Sequence, residues 1–181
     1  MIAICGDLAT TGRRERLSIA IAERALAAGA EVQVIGIVPA GVEGDATMLE
    51  LAAAGVGHAA VLRTAVRPLE SGDLELALRY LPDIRVVIAA ELESMALPSV
   101  SGGAAFTGAS LIVVQPHGTT RTDVAYVDLP ASAIVISAPA ADPDGTFAGF
   151  VADFAARLDT GAAPADAWDS SVRSLAVDAV S

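Results

Sequence analysis

Six short apolar runs, rich in β-branched residues, recur along the sequence and constrain its fold more than any other feature. None of them shows the clean alternation of polar and apolar residues that is typical of a strand with one solvated face. Continuous apolar runs of this length are typical of strands covered on both faces. We therefore predict six buried strands. They lie at residues 2–5, 32–38, 59–62, 86–89, 111–114 and 134–136.

Helical patterns occupy the segments between these runs. Asp73 is a predicted N-cap, whereas Gly29 and Gly55 suit helix ends. The predicted helices lie around residues 17–25, 48–52, 74–81 and 147–158, and from Pro164 onward. Strands that alternate with helices indicate parallel strands joined by right-handed crossovers. The expected fold is α/β, a three-layer αβα sandwich with a mostly parallel sheet, in a single domain over residues 1–181.

In a parallel sheet of this kind, we expect a ligand crevice beyond the carboxyl ends of the strands, at the point where the strand order reverses. The segments that follow the predicted strands are therefore the ones to search. They are residues 6–12, 39–45, 91–94, 115–120 and 138–146.

Composition excludes several chemistries. The chain has 22 acidic and 11 basic residues and a net charge of -11, and the basic residues are all arginine. Without lysine there is no P-loop lysine and no Schiff-base lysine. The acidic balance disfavours nucleic acid as a partner, and no apolar stretch approaches the roughly 18 residues of a membrane span. No secretory signal is recognisable after Met1, so we expect a cytoplasmic protein.

Two stretches resemble the ribokinase (PfkB-type carbohydrate kinase) family. The first comprises AGAEVQVIGIV at residues 28–38, GVEGD at 41–45 and LELAAAGV at 49–56. The second, DPDGTFAGF at residues 142–150, is similar to the family signature around its catalytic aspartate. The resemblance implies a ribokinase-like core, with ATP and Mg²⁺ as cofactors if the chain is an active kinase, and a small sugar or nucleoside-like ligand.

The resemblance also implies roles for particular residues. Asp144 falls at the position of the general base, which takes a proton from the attacking hydroxyl. Asp142 and Gly145 flank that position, and Gly41 and Gly44 lie in the loop that corresponds to the family's DD..G loop. All four are candidate ligand-binding residues. Asp7, just past the first strand, is a further candidate for contact with a ligand hydroxyl, although a turn-forming role is open as well.

Departures from the family pattern affect the chemistry more than the fold. Ala141, Asp142 and Pro143 replace the glycines whose backbone N–H groups form the anion hole, and Pro143 has no N–H to donate. The chain contains no asparagine, so the family's asparagine–glutamate magnesium motif is not intact. The few residues before the first helix leave no room for the β lid. We therefore expect a truncated, degenerate kinase homologue that binds a small ligand or a partner protein.

Other interpretations stay open at this point. An active minimal carbohydrate or nucleoside kinase, with Asp144 as base, is the alternative function. For Asp144 the structural alternative is an N-cap or first-turn acid of the helix that follows, and Asp142 with Asp144 could also hold Mg²⁺ weakly. No metal site is predicted from cysteines or histidines. His117 and Glu91 follow strand ends and could face the crevice. An exposed sheet edge or apolar patch would favour a homodimer.

Overall fold

The structure is a computed structural model that describes residues 1–6, 8, 17–65, 67, 69–119 and 128–178. Its strands are β1 (Ile2–Gly6), β2 (Val32–Pro39), β3 (Gly57–Thr64), β4 (Val86–Ala90), β5 (Ser110–Gln115) and β6 (Ile134–Ser137). Its helices are α1 (Leu17–Ala27), α2 (Val42–Ala54), α3 (Ser71–Tyr80), α4 (Leu97–Thr107), α5 (Thr146–Asp159) and α6 (Pro164–Asp178), with a short 3-10 helix at Ser94–Ala96.

The six strands form one sheet in the order β3-β2-β1-β4-β5-β6. Each neighbouring pair is parallel, and Ile4 of β1 lies between Val34 of β2 and Ile88 of β4. Every residue of β1 and β4 is buried, as expected for strands at the centre of a sheet with helices on both faces. The six predicted strands are confirmed, and the sheet is wholly parallel rather than mostly so.

Helices cover both faces of the sheet and produce the predicted αβα sandwich. One apolar cluster joins α1, α2, α5 and α6 to the sheet face that carries Ile4 and Ile88. A second cluster joins α3 and α4 to the opposite face, which carries Cys5 and Val87. Burial raises the pKa of the Cys5 thiol to about 12, so this cysteine is a core residue and not a nucleophile.

Aromatic packing anchors the last two helices. Phe150 and Phe154 lie one turn apart on α5, and the Trp168 ring of α6 meets both edge-on, with centroids 5.0 and 5.5 Å away. Phe154 is fully buried. None of the helices in the described part of the chain is long and apolar enough to cross a bilayer.

Three details of the sequence predictions need correction. Asp73 is not the N-cap of α3: Glu70 is, and the Asp73 carboxylate accepts the backbone N–H of Glu70 from the third helical position. Helix α2 begins at Val42, earlier than predicted, because Gly41 starts the helix with a φ of 114°. Helix α4 was not predicted, because its small residues show no amphipathic period.

The Asp73 carboxylate supports a prediction about pH. Arg67 donates two hydrogen bonds to it, at 2.7 and 3.1 Å, and this pair holds the pKa of Asp73 below its usual value. The stabilisation is therefore present above pH 4 and is lost as the pH falls through the lowered pKa. We expect Asp73→Asn to lower the free energy of unfolding by about 1 kcal/mol at pH 7, measured with urea.

The difference between wild type and Asp73→Asn should shrink as the pH falls below 4. Asp169→Asn, at an exposed carboxylate of α6, is the control and should change stability little at any pH. An Asp73→Asn effect of the same size at pH 7 and at pH 2.5 would show that the ionised carboxylate is not what stabilises the start of α3.

Candidate functional site at the carboxyl edge of the sheet

The strand order reverses between β1 and β4, so a ligand crevice is expected beyond the carboxyl ends of these two strands. A cavity of about 260 Å³ lies at this edge of the sheet. Glu91 after β4, His117 after β5 and Asp142 after β6 line it together with Phe147. Three of the five segments identified from the sequence thus contribute to one cavity.

Asp142 occupies the N-terminus of α5. Its Oδ1 accepts the backbone N–H of Phe147 and its Oδ2 accepts that of Ala148, both at 2.9 Å. The carbonyl oxygen of Asp142 accepts the N–H of Gly145. A helix leaves its first N–H groups without partners inside the helix, and these groups together with the helix dipole favour an anion. Here the protein's own carboxylate is that anion.

Asp144 and Asp142 both line a second cavity beside α1, but only Asp142 lines the carboxyl-edge cavity as well. It is exposed and does not line the carboxyl-edge cavity, and its carboxylate has no ion pair or hydrogen bond to any described residue. Its carbonyl oxygen is 3.4 Å from Nη2 of Arg24 on α1. Gly145 follows with a φ of 66°, a conformation that favours glycine and turns the chain into α5. Asp144 therefore lies near α1 and outside the carboxyl-edge cavity.

The two glycines after β2 have structural roles. Gly41 is exposed and starts α2, whereas Gly44 is buried where α2 crosses the end of β2. A Cβ on Gly44 would overlap the carbonyl oxygen of Pro39 and lie 3.3 Å from Cγ2 of Val38. Neither glycine lines the carboxyl-edge cavity. Asp7 lies outside the described residues, and so do residues 9–16, where the lid was predicted to be absent.

Two features of this edge were not recognised from the sequence. Glu91 has a φ of 50°, a left-handed conformation that costs a non-glycine residue about 1–2 kcal/mol. Gln115, at the end of β5, is 5% exposed and donates to Ser137 Oγ at 2.6 Å, while its Oε1 has no partner in the described chain. No sequence signal indicates the backbone conformation of Glu91. Gln115 could have been identified, because it is a polar residue at the end of an otherwise apolar run.

The charges that the described residues bring to the cavity are negative. Glu91 and Asp142 are the charged residues among its described lining, and no arginine is among them. Within the described residues, no three histidine, cysteine, aspartate or glutamate side chains are placed to hold a metal ion. ATP with Mg²⁺, which the family resemblance implies, does not fit these residues, because the α5 N–H groups that would receive a phosphate are already bonded to Asp142.

Comparison with known proteins identifies the fold. No protein-family profile matches the sequence, and no curated protein matches it either. Among solved structures, Sa239 covers 97% of this chain and 92% of its own, with a TM-score of 0.66 and 12% identity. Phosphofructokinase-2 from Escherichia coli, in its tetrameric inhibited form, covers 96% and 92%, with a TM-score of 0.60 and 12% identity.

An E. coli protein assigned as ribokinase II, in complex with ATP and Mg²⁺, covers 94% of this chain and 89% of its own. Its TM-score is 0.61 and its identity 11%. Phosphofructokinase-2 and ribokinase II are PfkB-type kinases, so the expected resemblance is confirmed at the level of the fold. The chain has the α/β fold of the ribokinase-like kinases, and at these identities the likeness establishes the fold alone.

Proposed function

We propose that this chain is a degenerate ribokinase-like protein that binds a small polar ligand at the carboxyl edge and does not transfer phosphate efficiently. The observation that carries this proposal is the Asp142 carboxylate on the N–H groups of Phe147 and Ala148. In the family such donors at a helix N-terminus stabilise the developing charge of the phosphoryl group. Because the Asp142 carboxylate already accepts these N–H groups, they do not stabilise a transferring phosphoryl group.

Electrostatics supports the same conclusion. A phosphate at the start of α5 would have to displace the Asp142 carboxylate or lie beside it, and like charges this close repel strongly. Pro143 contributes no N–H to replace the lost donors. Loss of a single oxyanion donor costs about 10²–10³ in rate, and here two N–H groups are occupied and Pro143 provides none, so we expect transfer to be slower still.

The cavity indicates the kind of ligand. Its volume of about 260 Å³ is slightly smaller than the roughly 300–1,000 Å³ typical of small-molecule sites, so only a small ligand fits. Glu91 and Asp142 offer carboxylate oxygens, and His117 offers a ring nitrogen. Hydroxyl groups pair well with such acceptors, whereas a triphosphate does not. We therefore propose a neutral, hydroxylated ligand of the sugar or nucleoside class.

The second candidate is an active minimal kinase with Asp144 as general base. Two observations favour it: the ATP- and Mg²⁺-bound structural neighbour, and the exposed Asp144 carboxylate, which is unbonded among the described residues. Against it, Asp144 does not line the carboxyl-edge cavity in which an acceptor hydroxyl would lie.

Four further statements remain predictions: a single domain over residues 1–181, truncation relative to the kinases, a cytoplasmic location and a homodimer.

Glu91 provides a direct test of the proposed ligand site. Calorimetric titration with ribose and with adenosine should detect binding of at least one of them, because the cavity presents acceptors to hydroxyl groups. We expect Glu91→Gln to weaken that binding about tenfold or more, the cost of a hydrogen bond to a charged group. Titration with ATP·Mg²⁺ should give no heat of binding.

Glu93→Gln is the matched control, because Glu93 is also an exposed acid of the loop after β4 but does not line the cavity. It should bind like the wild type. Equal losses in Glu91→Gln and Glu93→Gln would point to a general charge effect and contradict the assigned site. Tight binding of ATP·Mg²⁺ would favour the kinase.

A further inference from the structure

The outer side of α3 and α4 is apolar although the chain carries a net charge of -11. Leu76 and Tyr80 of α3 are 60% and 80% exposed, and Phe106 of α4 is 71% exposed. Helix α4 contains no charged residue. Single exposed apolar side chains are ordinary, whereas several on adjoining helices indicate an interaction surface. None of these residues lines the carboxyl-edge cavity, so the inference does not depend on the function proposed for that cavity.

Contacts between α3 and α4 join these side chains into one surface. Ser99 Oγ of α4 donates a hydrogen bond to the Glu75 carboxylate of α3 at 3.3 Å. Further along both helices, the Arg79 guanidinium lies over the Phe106 ring, 5.9 Å from its centroid. The two helices therefore run side by side in the same direction. We name their exposed side the α3–α4 face, defined by Glu75, Leu76, Arg79, Tyr80 and Phe106.

One row of side chains on α3 is complementary to itself. Gly72, Leu76 and Tyr80 are exposed and follow one another at intervals of four residues, so they lie along one side of the helix. A Cβ added to Gly72 meets no atom within 4 Å, so the row has a gap at this end. If a second α3 runs antiparallel across Leu76, the two Leu76 side chains meet, and each Tyr80 lies over the Gly72 of the other copy. The large side chain at one end thus fits the gap at the other.

The charges beside this row are complementary in the same orientation. Asp73 pairs with Arg67, so Glu75 and Arg79 are the charged residues of α3 that form no ion pair with a described residue. Both lie on the side of α3 that faces α4. In the antiparallel arrangement about Leu76, Glu75 of one copy and Arg79 of the other are offset by only about 3 Å along the helix axis. An arginine side chain bridges that offset, so each copy supplies the opposite charge for the other.

We propose that the α3–α4 face binds a second copy of this chain, in a two-fold symmetric dimer in which the two α3 helices pack antiparallel. Leu76, Tyr80 and Phe106 provide the apolar contact, and the Glu75 and Arg79 side chains of the two copies pair at its edge. Any other partner would have to offer both a gap for Tyr80 and two charges in the reverse order. A second copy offers both by symmetry.

The mass in solution, measured by light scattering, tests the assigned surface. We expect twice the 18.2 kDa of one chain. Leu76→Arg should give a folded monomer, because it puts two like charges together at the centre of the contact while arginine favours the helix. Leu49→Arg is the control, since Leu49 is a 71% exposed leucine of α2, outside the α3–α4 face, and this variant should stay dimeric. A wild type that is monomeric at its highest soluble concentration, or a dimeric Leu76→Arg, would overturn the proposal.

Charge reversal tests the antiparallel orientation. Glu75→Arg alone and Arg79→Glu alone should each raise the dissociation constant of the dimer at least about tenfold, because each creates two like-charge pairs in a symmetric dimer. The double variant with both substitutions restores opposite charges across the contact and should dimerise about as tightly as the wild type. Sedimentation equilibrium measures all four proteins. Single variants that dimerise like the wild type, or a double variant as weak as the single ones, would contradict the proposed packing.

Discussion

Replacement of Asp142 with alanine should destabilise the protein and create an anion site at the same time. The carboxylate accepts two N–H groups at the start of α5, so its removal should lower the free energy of unfolding by about 2 kcal/mol. The freed N–H groups of Phe147 and Ala148 should then bind inorganic phosphate at least about tenfold more tightly than the wild type does. Urea unfolding and calorimetric titration with phosphate measure the two effects.

Asp144→Ala is the matched control for this experiment. Asp144 is two residues away and carries the same charge, but its carboxylate has no partner among the described residues. Its replacement should change stability by less than about 0.5 kcal/mol and should not create phosphate binding. If Asp142→Ala and Asp144→Ala behaved alike, or if the wild type bound phosphate as tightly as Asp142→Ala, the Asp142 carboxylate would not be the occupant of the helix N-terminus.

Replacement of Gly44 with alanine should have the largest effect on stability. The added Cβ would overlap the carbonyl oxygen of Pro39 and approach the Pro39 carbonyl carbon to 3.0 Å. Because these are backbone atoms, they cannot rotate away, and α2 would have to move off the end of β2. We expect a loss of about 3 kcal/mol or more in the free energy of unfolding, measured with urea.

Gly102→Ala tests whether that loss comes from the contact with Pro39. Gly102 is also a helical glycine, but a Cβ added there meets no atom within 4 Å. The substitution should leave stability unchanged or raise it by up to about 1 kcal/mol, because alanine favours the helix. A Gly44→Ala protein as stable as the wild type would show that Gly44 is not required for packing, which would favour its predicted role in ligand binding.

The fold could be predicted largely because its signals are local. Each apolar run forms a strand of the sheet, because a strand that is buried on both faces consists almost entirely of apolar residues. Pro164 and Gly55 marked helix ends correctly. Helix α4 was missed because a helix of small residues, packed closely enough that Gly103 contacts Leu78, carries no amphipathic period. Its presence follows from tertiary packing and not from the sequence pattern.

The site was less predictable because its chemistry depends on side-chain direction. Asp142 and Asp144 lie two residues apart at a helix start, and the sequence pattern indicated Asp144 as the alternative cap. That prediction was wrong, because the Asp142 carboxylate accepts the N–H groups of the helix. Backbone geometry decides between them: with Gly145 in a left-handed conformation, the Asp142 carboxylate accepts two N–H groups of α5, whereas only the carbonyl oxygen of Asp144 contacts Arg24. The left-handed backbone of Glu91 also depends on contacts between segments that are distant in sequence. The same is true of the three loops that meet around the cavity.

The most direct test of the central claim is the rate of ADP formation from ATP·Mg²⁺, measured with sugars and nucleosides as acceptors for wild type and Asp144→Ala. We predict that the wild-type rate does not depend on the acceptor and equals that of Asp144→Ala, because Asp142 occupies the N–H groups that would stabilise the transferring phosphate. Acceptor-dependent ADP formation that disappears in Asp144→Ala would contradict the account and establish a minimal kinase with Asp144 as its base.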